Sequence, residues 1–380
     1  MEQICRASVL HGAKDLRLEE RTLGFPGPTE LQIAVRTTGL CGSDLHYYHH
    51  YRNGDIQVRE PLSLGHESAG IVVVVGSQIE SFKKGDRVAL EVGLPCGQCE
   101  RCKEGRYNVC PELSFRGSAK SCPHFQGTLQ ASINHPASWC HKLPDHVSFD
   151  VGAILEPLGV AIHASRRAQI VQESSTLVLG AGPVGLLCAA MAKVAGSSNV
   201  VIADIQQERV NFATQHGFAQ VGFTVPAKRG RKIDEKLQIA KETAALATEK
   251  IPNGTGSTGG FDVVIECTGV EACTQAAIYA TRPGGKVMIV GMGNPVQTLP
   301  ISAAALREVD ILGTFRYAST YPEAVELVSG NNPLLPDLGK LVTHRFSGLD
   351  NVERAFEMAA KTKDEDGNLV LKVIVQSCGT

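Results

Sequence analysis

Four cysteines stand within the sixteen residues PCGQCERCKEGRYNVC, which run from Pro95 to Cys110 and are called the cysteine loop below. Cys96, Cys99 and Cys102 are three residues apart, and Cys110 follows eight residues later. Two thiols separated by two intervening residues in a turn reach one zinc ion at about 2.3 Å from each sulfur, and four thiolates complete its tetrahedron. The spacing therefore predicts a closed, structural zinc site. A ferredoxin-type iron–sulfur cluster is the alternative, although it would need further electron partners.

A second set of side chains that could do chemistry is spread over the first part of the chain. Its members carry thiol, hydroxyl, imidazole, phenol and carboxylate groups: Cys41, Ser43, His46, Tyr47, His66, Glu67 and Glu156. A lone cysteine is usually a small buried hydrophobe. The adjacent pair His66 and Glu67 is harder to assign to a core, because a buried carboxylate is costly unless it is paired. The pair is therefore a candidate functional site.

A glycine motif, GAGPVG, places Gly180, Gly182 and Gly185 in the order G-x-G-x-x-G. It follows an apolar run over 175–180 and opens a helix-length segment over 183–196, which is the context of a dinucleotide-binding turn. The three glycines serve, in order, the tight turn, the approach of the pyrophosphate and the packing of helix on strand. The helix N-terminus then offers free N–H groups and partial positive charge to the phosphates.

The acidic residue of such a motif is Asp204, at the end of the apolar run 199–204 and 19 residues after Gly185. Its carboxylate can accept hydrogen bonds from the adenosine ribose hydroxyls and would repel a 2′-phosphate. Residues 205–208 offer no cation, although Arg209 lies one helical turn further on. The sequence therefore predicts NAD rather than NADP.

The order of apolar runs indicates which elements position these residues. In the first 150 residues, short runs such as 30–40 and 69–76 are broken by Gly, Pro and Asp, which is typical of a β-rich, barrel-like module. From residue 175 onward, apolar runs alternate with helix-length segments, and this pattern predicts a parallel, doubly wound Rossmann sheet. The expected fold class is α/β, a Rossmann sheet together with a β-rich domain.

Composition excludes several classes of function. A net charge of −2 gives no support for binding to nucleic acid or to an acidic membrane surface. No run approaches the roughly 18 apolar residues of a transmembrane helix, and the N-terminus lacks the pattern of a secretory signal. We therefore expect a cytoplasmic protein, with its 12 cysteines serving as metal ligands and buried thiols rather than disulfides.

The chain resembles a known family at several motifs. Gly65, His66, Glu67, Gly70, Gly76 and Ile79 match the zinc-containing alcohol dehydrogenase signature. Together with the cysteine loop, the Cys41-Gly-Ser-Asp segment and GAGPVG, the resemblance to the zinc-containing medium-chain dehydrogenase/reductase superfamily covers nearly the whole chain. Glu156, where the ethanol-type branch usually has Cys, and FRYASTYPEAV (315–325) are similar to the polyol (sorbitol, xylitol, L-arabinitol) dehydrogenase branch.

The resemblance implies a mechanism and a role for each candidate residue. A catalytic zinc would be held by Cys41, His66 and Glu67, with Glu156 touching it directly or through water. A secondary hydroxyl of a polyol would be oxidised to a ketose with hydride transfer to NAD. Ser43 and His46 are spaced like the family's proton relay, and the substrate contacts would be Tyr47, Glu156, Arg316 and Tyr317. The implied cofactor contacts are Gly180, Gly182, Val184, Gly185, Asp204, Arg209, Val290, Gly291, Met292, Thr314, Phe315 and Arg316.

The resemblance also implies how the chain is organised. We expect a GroES-like catalytic domain over 1–155, a Rossmann NAD-binding domain over 156–317 and a C-terminal segment, 318–380, that returns to the catalytic domain. Each chain would bind one catalytic and one structural zinc and assemble into a homo-oligomer, either a tetramer or a dimer. The expected ligand is a small polyol, with neither nucleic acid nor membrane as a partner.

Two segments depart from the polyol branch. Residues 114–127 are longer and more basic than the matching loop, and we expect a solvent-facing loop. The alternative is that Arg116 or Lys120 selects an acidic or phosphorylated substrate. Residues 226–260 are interpreted as an exposed, largely helical elaboration, whose KRGRK segment is a solvated face rather than a nucleic-acid patch.

Rival functions remain to be weighed against this one. Within the superfamily, the alternatives are an alcohol dehydrogenase for another secondary alcohol and a zinc-free quinone or enoyl reductase, which would lack Cys41 and His66. A metal-binding or regulatory protein with a degenerate nucleotide fold would have a broken glycine turn or missing ligands. A zinc-ribbon nucleic-acid binder accounts for the cysteine loop alone and leaves Asp204 and the His66–Glu67 pair without a role.

Overall fold

The chain divides into two units. The computed structural model describes residues 3–228, 230–251 and 259–377. Within these, unit 1 contains the chain up to Glu156, Ala318–Asn331 and the segment from Leu338 onward, and unit 2 contains Pro157–Tyr317 and Asn332–Asp337.

The strands are numbered in chain order: β1 Gln3–Gly12, β2 Asp15–Leu23, β3 Glu30–Gly39, β4 Arg52–Asn53, β5 Ile56–Gln57, β6 Glu67–Val75, β7 Arg87–Leu90, β8 Gly93–Leu94, β9 Ser114–Phe115, β10 Ser132–Pro136, β11 Cys140–Lys142, β12 Ser175–Leu179, β13 Asn199–Asp204, β14 Val221–Thr224, β15 Phe261–Glu266, β16 Thr281–Ile289, β17 Asp310–Gly313, β18 Val342–Ser347 and β19 Lys372–Gln376.

The α-helices are numbered in the same way: α1 Gly42–His50, α2 Glu100–Lys103, α3 Phe149–Ala168, α4 Pro183–Val194, α5 Gln207–Gln215, α6 Ile233–Thr248, α7 Glu271–Ala280, α8 Ile301–Ala305, α9 Tyr321–Ser329 and α10 Val352–Ala359. In the part of the chain that the structure describes, no helix is long and apolar enough to cross a bilayer.

Unit 1 is built on a seven-stranded sheet in which β11, β7, β6, β3, β19 and β18 are neighbours in that order and β10 also pairs with β3. Strand β3 is central because it pairs with β6, β10 and β19. Its alternating side chains Leu31, Ile33 and Val35 are buried at 0–1% exposure and pack with those of β6 and β7. This sheet places the ends of β3, β6 and β19 beside one another, where the chemically active side chains lie.

Unit 2 is a parallel six-stranded sheet in the order β14-β13-β12-β15-β16-β17. Its central strands are apolar runs buried on both faces, as parallel sheets covered by helices require. The order reverses between β12 and β15, and in this fold class dinucleotides bind outside the carboxyl ends of the strands at such a switch point. The predicted fold class, a Rossmann sheet with a β-rich domain, is confirmed.

The interpretation of residues 226–260 as an exposed elaboration is wrong for its helix. Helix α6 buries Ala240, Ala244 and Ala247 against the sheet, in the same core as Phe223 and Phe261. It is the crossover that carries the chain from edge strand β14 to central strand β15, and such a crossover must cover the sheet. The buried face of α6 is a narrow stripe of alanines on an otherwise polar helix, so the composition of the segment did not indicate that the helix packs on the sheet. Of this segment, residue 229 and residues 252–258 lie outside the described residues.

The expectation of a solvent-facing loop over 114–127 is also wrong for its first half. Phe115, Arg116, Ser118 and Ala119 are buried, whereas Lys120 is exposed. The Arg116 guanidinium donates to the carbonyl oxygens of residues 126 and 134 and to Nδ1 of the histidine at 135. Burial lowers its pKa to about 10. Arg116 therefore holds the loop together and is not the selector of an acidic substrate.

Candidate functional site

The three predicted catalytic ligands come from adjacent ends of the unit 1 sheet. Cys41 follows β3 and forms the N-cap of α1, His66 immediately precedes β6, and Glu67 is its first residue. The pairing of β3 with β6 sets Gly39 opposite Glu67. As a result, one donor atom from each of Cys41, His66 and Glu67 lies within 4.8 Å of the other two.

Asp44 joins these segments from the first turn of α1. It is fully buried, and its Oδ2 accepts the Cys41 amide at 3.1 Å, while its Oδ1 accepts the Gly65 amide at 3.1 Å. The same Oδ1 lies 3.3 Å from Nδ1 of His66. Burial alone would raise the pKa of Asp44 and lower that of His66, but their attraction overrides it, so the pKa of Asp44 is lowered and that of His66 is raised well above its ordinary value. Nε2 of His66 is left for a metal.

Lys372 of β19 is bound to Glu67. Its Nζ lies 2.8 and 2.7 Å from the two carboxylate oxygens and donates to the Leu40 carbonyl at 3.1 Å. Lys372 is 4% exposed; burial opposes the charge of its ammonium, but the nearby Glu67 raises its pKa. Gly39 makes room for the pair, since a Cβ there would stand 2.4 Å from Oε2 of Glu67. The carboxylate is thus both neutralised and fixed in direction.

These donors fit a catalytic zinc. A thiolate, an imidazole and a carboxylate are common zinc ligands, and catalytic sites keep three protein ligands with a further position open. The His66–Asp44 contact is the carboxylate–histidine arrangement that orients metal-binding imidazoles. Both oxygens of Glu67 contact Lys372 while the residue also belongs to this set, so its charge is shared between the ammonium and a bound metal.

The other predicted residues of unit 1 lie on α1 and α3. Ser43 and His46 lie one turn apart on α1. Tyr47 is buried, and its hydroxyl contacts the Ser118 hydroxyl at 3.4 Å and accepts the residue 119 amide at 3.3 Å. Glu156 is buried in α3 and lies outside the set of three donors, but its charge, with that of Glu67, acts on Lys372.

The cysteine loop brings its four sulfurs together. The donor atoms of Cys96, Cys99, Cys102 and Cys110 all lie within 4.8 Å of one another, with Sγ–Sγ distances of 3.5 Å for Cys99–Cys102 and 4.0 Å for Cys96–Cys102. Four sulfurs at about 2.3 Å from a zinc ion would be separated by nearly these distances. Backbone N–H donors lower the pKa of Cys96 to about 7. The described cysteines are all free thiols, and the cluster fits a closed zinc site.

In unit 2, the glycine motif forms the turn between β12 and α4. Gly180 has a φ of +100°, and a Cβ on Gly185 would stand 1.8 Å from the Gly180 carbonyl oxygen, so both positions require glycine. Gly182 is the N-cap of α4, and Pro183 is at its start, with Val184 next. The helix N-terminus therefore faces outward from the carboxyl end of β12 with its amides available to an anion.

Asp204 and Arg209 lie beside this turn. Asp204 Oδ2 accepts the Ala181 amide at 2.7 Å and Oδ1 accepts the Gln206 amide at 2.9 Å, so the carboxylate also braces the glycine turn. Nε of Arg209 is buried without a hydrogen-bond partner among the described residues, and its guanidinium stands 4.0 Å from where a Gly182 Cβ would lie. A guanidinium with a buried, unpartnered Nε beside a glycine turn fits a dinucleotide.

The later cofactor candidates follow β16 and β17. The amides of Val290 and Gly291 donate to the carbonyl of residue 266, and Met292 is 63% exposed. Thr314 follows β17, with Phe315 and Arg316 next. Arg316 has a left-handed φ of 51° and its guanidinium carbon lies 5.2 Å from the Phe315 ring centroid, while Tyr317 is buried at 3% exposure. Left-handed backbone at a non-glycine residue is strained and clusters at functional segments.

Two residues of the zinc-ligand surroundings were missed by sequence reasoning. Asp44 had a signal, because an acidic residue three positions into a helix commonly caps it, and this one also follows Cys41 closely. Lys372 had a weaker one, a single cation inside the apolar run LVLKVIVQ. Its partner, Glu67, is 305 residues away in sequence.

Comparison with known proteins decides the family. The family model described as "Alcohol dehydrogenase GroES-like domain" matches residues 27–145, and that described as "Zinc-binding dehydrogenase" matches residues 183–330. Sorbitol dehydrogenase from Gallus gallus is 41% identical over 95% of this chain and 94% of that protein, and sorbitol dehydrogenase from Homo sapiens is 41% identical over 93% and 92%. The chain belongs to the zinc-containing medium-chain dehydrogenases, in their polyol dehydrogenase branch.

A solved structure agrees with this assignment. L-idonate 5-dehydrogenase from Escherichia coli superposes with a TM-score of 0.84 and 26% identity, covering 99% of both chains. This zinc-containing medium-chain dehydrogenase is thus an NAD-dependent oxidoreductase that acts on CH–OH groups. The predicted family, the enzyme class and the predicted cofactors, NAD and zinc, are confirmed.

Proposed function

We propose that this chain oxidises one secondary hydroxyl of a polyol of the sorbitol, xylitol or arabinitol type to a ketose, with hydride transfer to NAD. The observation that carries the proposal is the buried set of Cys41, His66 and Glu67, supported by Asp44 and Lys372. The sorbitol dehydrogenases of Gallus gallus and Homo sapiens, at 41% identity, support the polyol as substrate.

Cys41, His66 and Glu67 would hold the catalytic zinc, and the four cysteines of the cysteine loop a structural one. When bound, the catalytic zinc supplies Lewis acidity, which lowers the pKa of a substrate hydroxyl. Asp44 holds the His66 imidazole at Nδ1, so that Nε2 would be the atom that binds the metal, and Lys372 holds both oxygens of Glu67. Because Lys372 neutralises Glu67, the ligand set carries less negative charge, and a bound zinc would keep more of its effect on the pKa of the substrate hydroxyl.

The proton released from the substrate would pass along α1. Ser43 and His46 are one helical turn apart, and His46 is exposed. The Ser43 hydroxyl would accept the substrate's proton as it donates its own to His46, and His46 would release that proton to solvent. A histidine suits this role because its ordinary pKa lies near neutrality. This path leads away from the buried ligand set.

Substrate hydroxyls would be bound by Tyr47, Glu156, Arg316 and Tyr317. A site built to hydrogen-bond a hydroxyl rejects an analogue lacking it by about four to five orders of magnitude at best. Ethanol, which lacks the further hydroxyls, should therefore be a poor substrate.

The cofactor would bind at the turn of Gly180, Gly182 and Gly185. Amides at the start of α4 and the Arg209 guanidinium would meet the phosphates, and Asp204 has lone pairs left for the ribose hydroxyls. The remaining contacts would be Val184, Val290, Gly291, Met292, Thr314, Phe315 and Arg316.

We further propose the organisation of the enzyme in the cell: catalytic and NAD-binding domains with boundaries near residues 155 and 317, a cytoplasmic location and a homo-oligomer, either tetramer or dimer. Strand β17 is an edge of its sheet and carries Ile311 at 38% exposure, close in sequence to Leu306 at 87%, which supports association. A small-molecule substrate, rather than nucleic acid or membrane, agrees with the net charge of −2.

A substrate panel tests the function. Sorbitol, xylitol, L-arabinitol and ethanol are offered with NAD or NADP, and reduction of the cofactor is followed at 340 nm. We expect at least one polyol with NAD to exceed ethanol by about three orders of magnitude or more in kcat/KM. Glu156→Cys should depress polyol turnover while Tm changes little. Equal rates with ethanol and polyols would contradict the proposed substrate class.

A further inference from the structure

Helix α1 carries two exposed histidines that face the same way. His46 and His50 are four residues apart, and their ring centroids are 6.1 Å apart at an interplanar angle of 36°. Residues four apart are neighbours on a helix surface. Both side chains are exposed, so their rings can turn without disturbing a core.

Two imidazoles at this spacing are a chelating pair for late first-row metals, because histidines at i and i+4 on one helix face bind zinc together. Metal–nitrogen bonds to histidine are about 2.0–2.1 Å long, so the two rings would have to move closer together. Exposed side chains can do this by rotation about their side-chain bonds. We propose that His46 and His50 form a surface site for a late first-row divalent cation such as Zn²⁺, and that occupancy of this site inhibits the enzyme.

His49 is the third histidine of this helix, and its ring centroid also lies 6.1 Å from that of His50. Its ring packs edge-on against Tyr48, with centroids 5.0 Å apart, and it is half-buried. Burial lowers the pKa of His49, and the positive charge of the nearby Lys14 lowers it further. His49 therefore offers a matched control: another histidine of the same helix, committed to packing.

Inhibition follows from the position of His46, and this step rests on the proposed function. His46 is the outer member of the proposed proton path. A cation bound to its imidazole occupies the lone pair that would accept the proton and repels the proton itself. Occupancy would therefore block proton exit while the buried ligands Cys41, His66 and Glu67 remain unchanged.

The test uses zinc-replete enzyme and added ZnCl₂ as the probe. Wild type, His50→Gln and His49→Gln are compared by isothermal titration calorimetry and by polyol oxidation rate. We expect wild type and His49→Gln to bind one further zinc and to be inhibited alike. In His50→Gln, the inhibitory concentration should rise about tenfold or more, because one of two ligands is gone, while its rate without added zinc equals that of wild type.

The outcomes separate the site from the function. Wild-type binding and inhibition in His50→Gln would overturn the metal site, and loss of binding with unchanged inhibition would overturn the inhibitory link. His46→Gln is measured alongside: full turnover in this variant would contradict the proposed proton path, whereas retained binding of the further zinc would contradict the chelating pair.

Discussion

The two clusters of candidate metal-binding side chains are built in different ways. The cysteine loop draws all four donors from residues 96–110, and the sulfurs meet because short turns bring neighbours in sequence together. The catalytic set draws Cys41, His66 and Glu67 from the ends of two paired strands. It also depends on Asp44 and on Lys372, which lies 305 residues from its partner.

The difference indicates that one cluster serves stability and the other serves chemistry. Four thiolates saturate a zinc ion, so the cysteine loop can only stabilise its surroundings. Three mixed donors leave a position open, and their open geometry must be held by side chains that are not ligands themselves. Changes to the two regions should therefore have opposite signatures in turnover and in unfolding.

The largest effect is expected from removing a ligand of the open set. Cys41→Ser should lower kcat/KM for the polyol by about 10³-fold, since the metal supplies several kcal/mol of transition-state stabilisation. Cys99→Ser, the matched change in the cysteine loop, should instead lower Tm, while the turnover of the folded fraction persists. Initial-rate assays measure kcat/KM of both variants, and thermal unfolding measures their Tm. Equal losses of turnover in the two variants would erase the distinction.

A second large effect is expected at the Lys372–Glu67 pair. Lys372→Met leaves a buried carboxylate without its cation, which destabilises proteins by about 3–5 kcal/mol. Because zinc also neutralises Glu67, the loss should be larger in metal-free than in zinc-loaded protein. Urea unfolding of both forms measures it.

The control for that variant is Lys142→Met. Lys142 pairs with Asp86 at 3.0 Å, but its side chain is 56% exposed. An exposed pair contributes about 0–1 kcal/mol. If Lys372→Met lowered the free energy of unfolding no more than Lys142→Met does, in both the metal-free and the zinc-loaded protein, the buried pair would not support the site.

Asp44→Asn is expected to have a smaller effect, confined to the open set. Loss of the carboxylate that orients a ligating histidine typically reduces metal affinity or activity by about 10–100-fold. Zinc affinity, measured by competition with a chelating dye, should fall in this range, while the cysteine loop keeps its metal. Asp15→Asn, at an exposed pair with Arg17, is the control. Unchanged affinity of Asp44→Asn would show that His66 needs no orienting partner.

The smallest effect concerns the other unit. Asp204→Ala combined with Ile205→Arg should raise the use of NADP relative to NAD, because a repelling carboxylate is replaced by a cation near the 2′-phosphate. Metal content should not change. Initial rates with both cofactors measure the ratio; an unaltered ratio would remove Asp204 from the cofactor site.

The same contrast explains what the sequence could predict. The cysteine loop and the GAGPVG turn were predictable because short-range spacing alone defines them. The Rossmann sheet was predictable from alternating runs, of which β12 and β13 are the clearest. The pairing of β19 with β3, which delivers Lys372 to Glu67, is a long-range event that no local pattern encodes.

The two wrong expectations have a related cause. Helix α6 looked solvated because its buried face consists of alanines. The loop 114–127 looked solvent-facing because a guanidinium such as that of Arg116 is rarely buried unless it is fully bonded. In both cases the environment, not the residue type, decided burial. Neither is visible before the sheets are assembled.

Elemental analysis of pure, active protein tests the central claim most directly. Two zinc ions per chain are expected, with Cys41→Ser losing one ion together with its activity and Cys99→Ser losing the other. A fully active wild-type protein that contains a single zinc per chain, bound in the cysteine loop, would contradict the account.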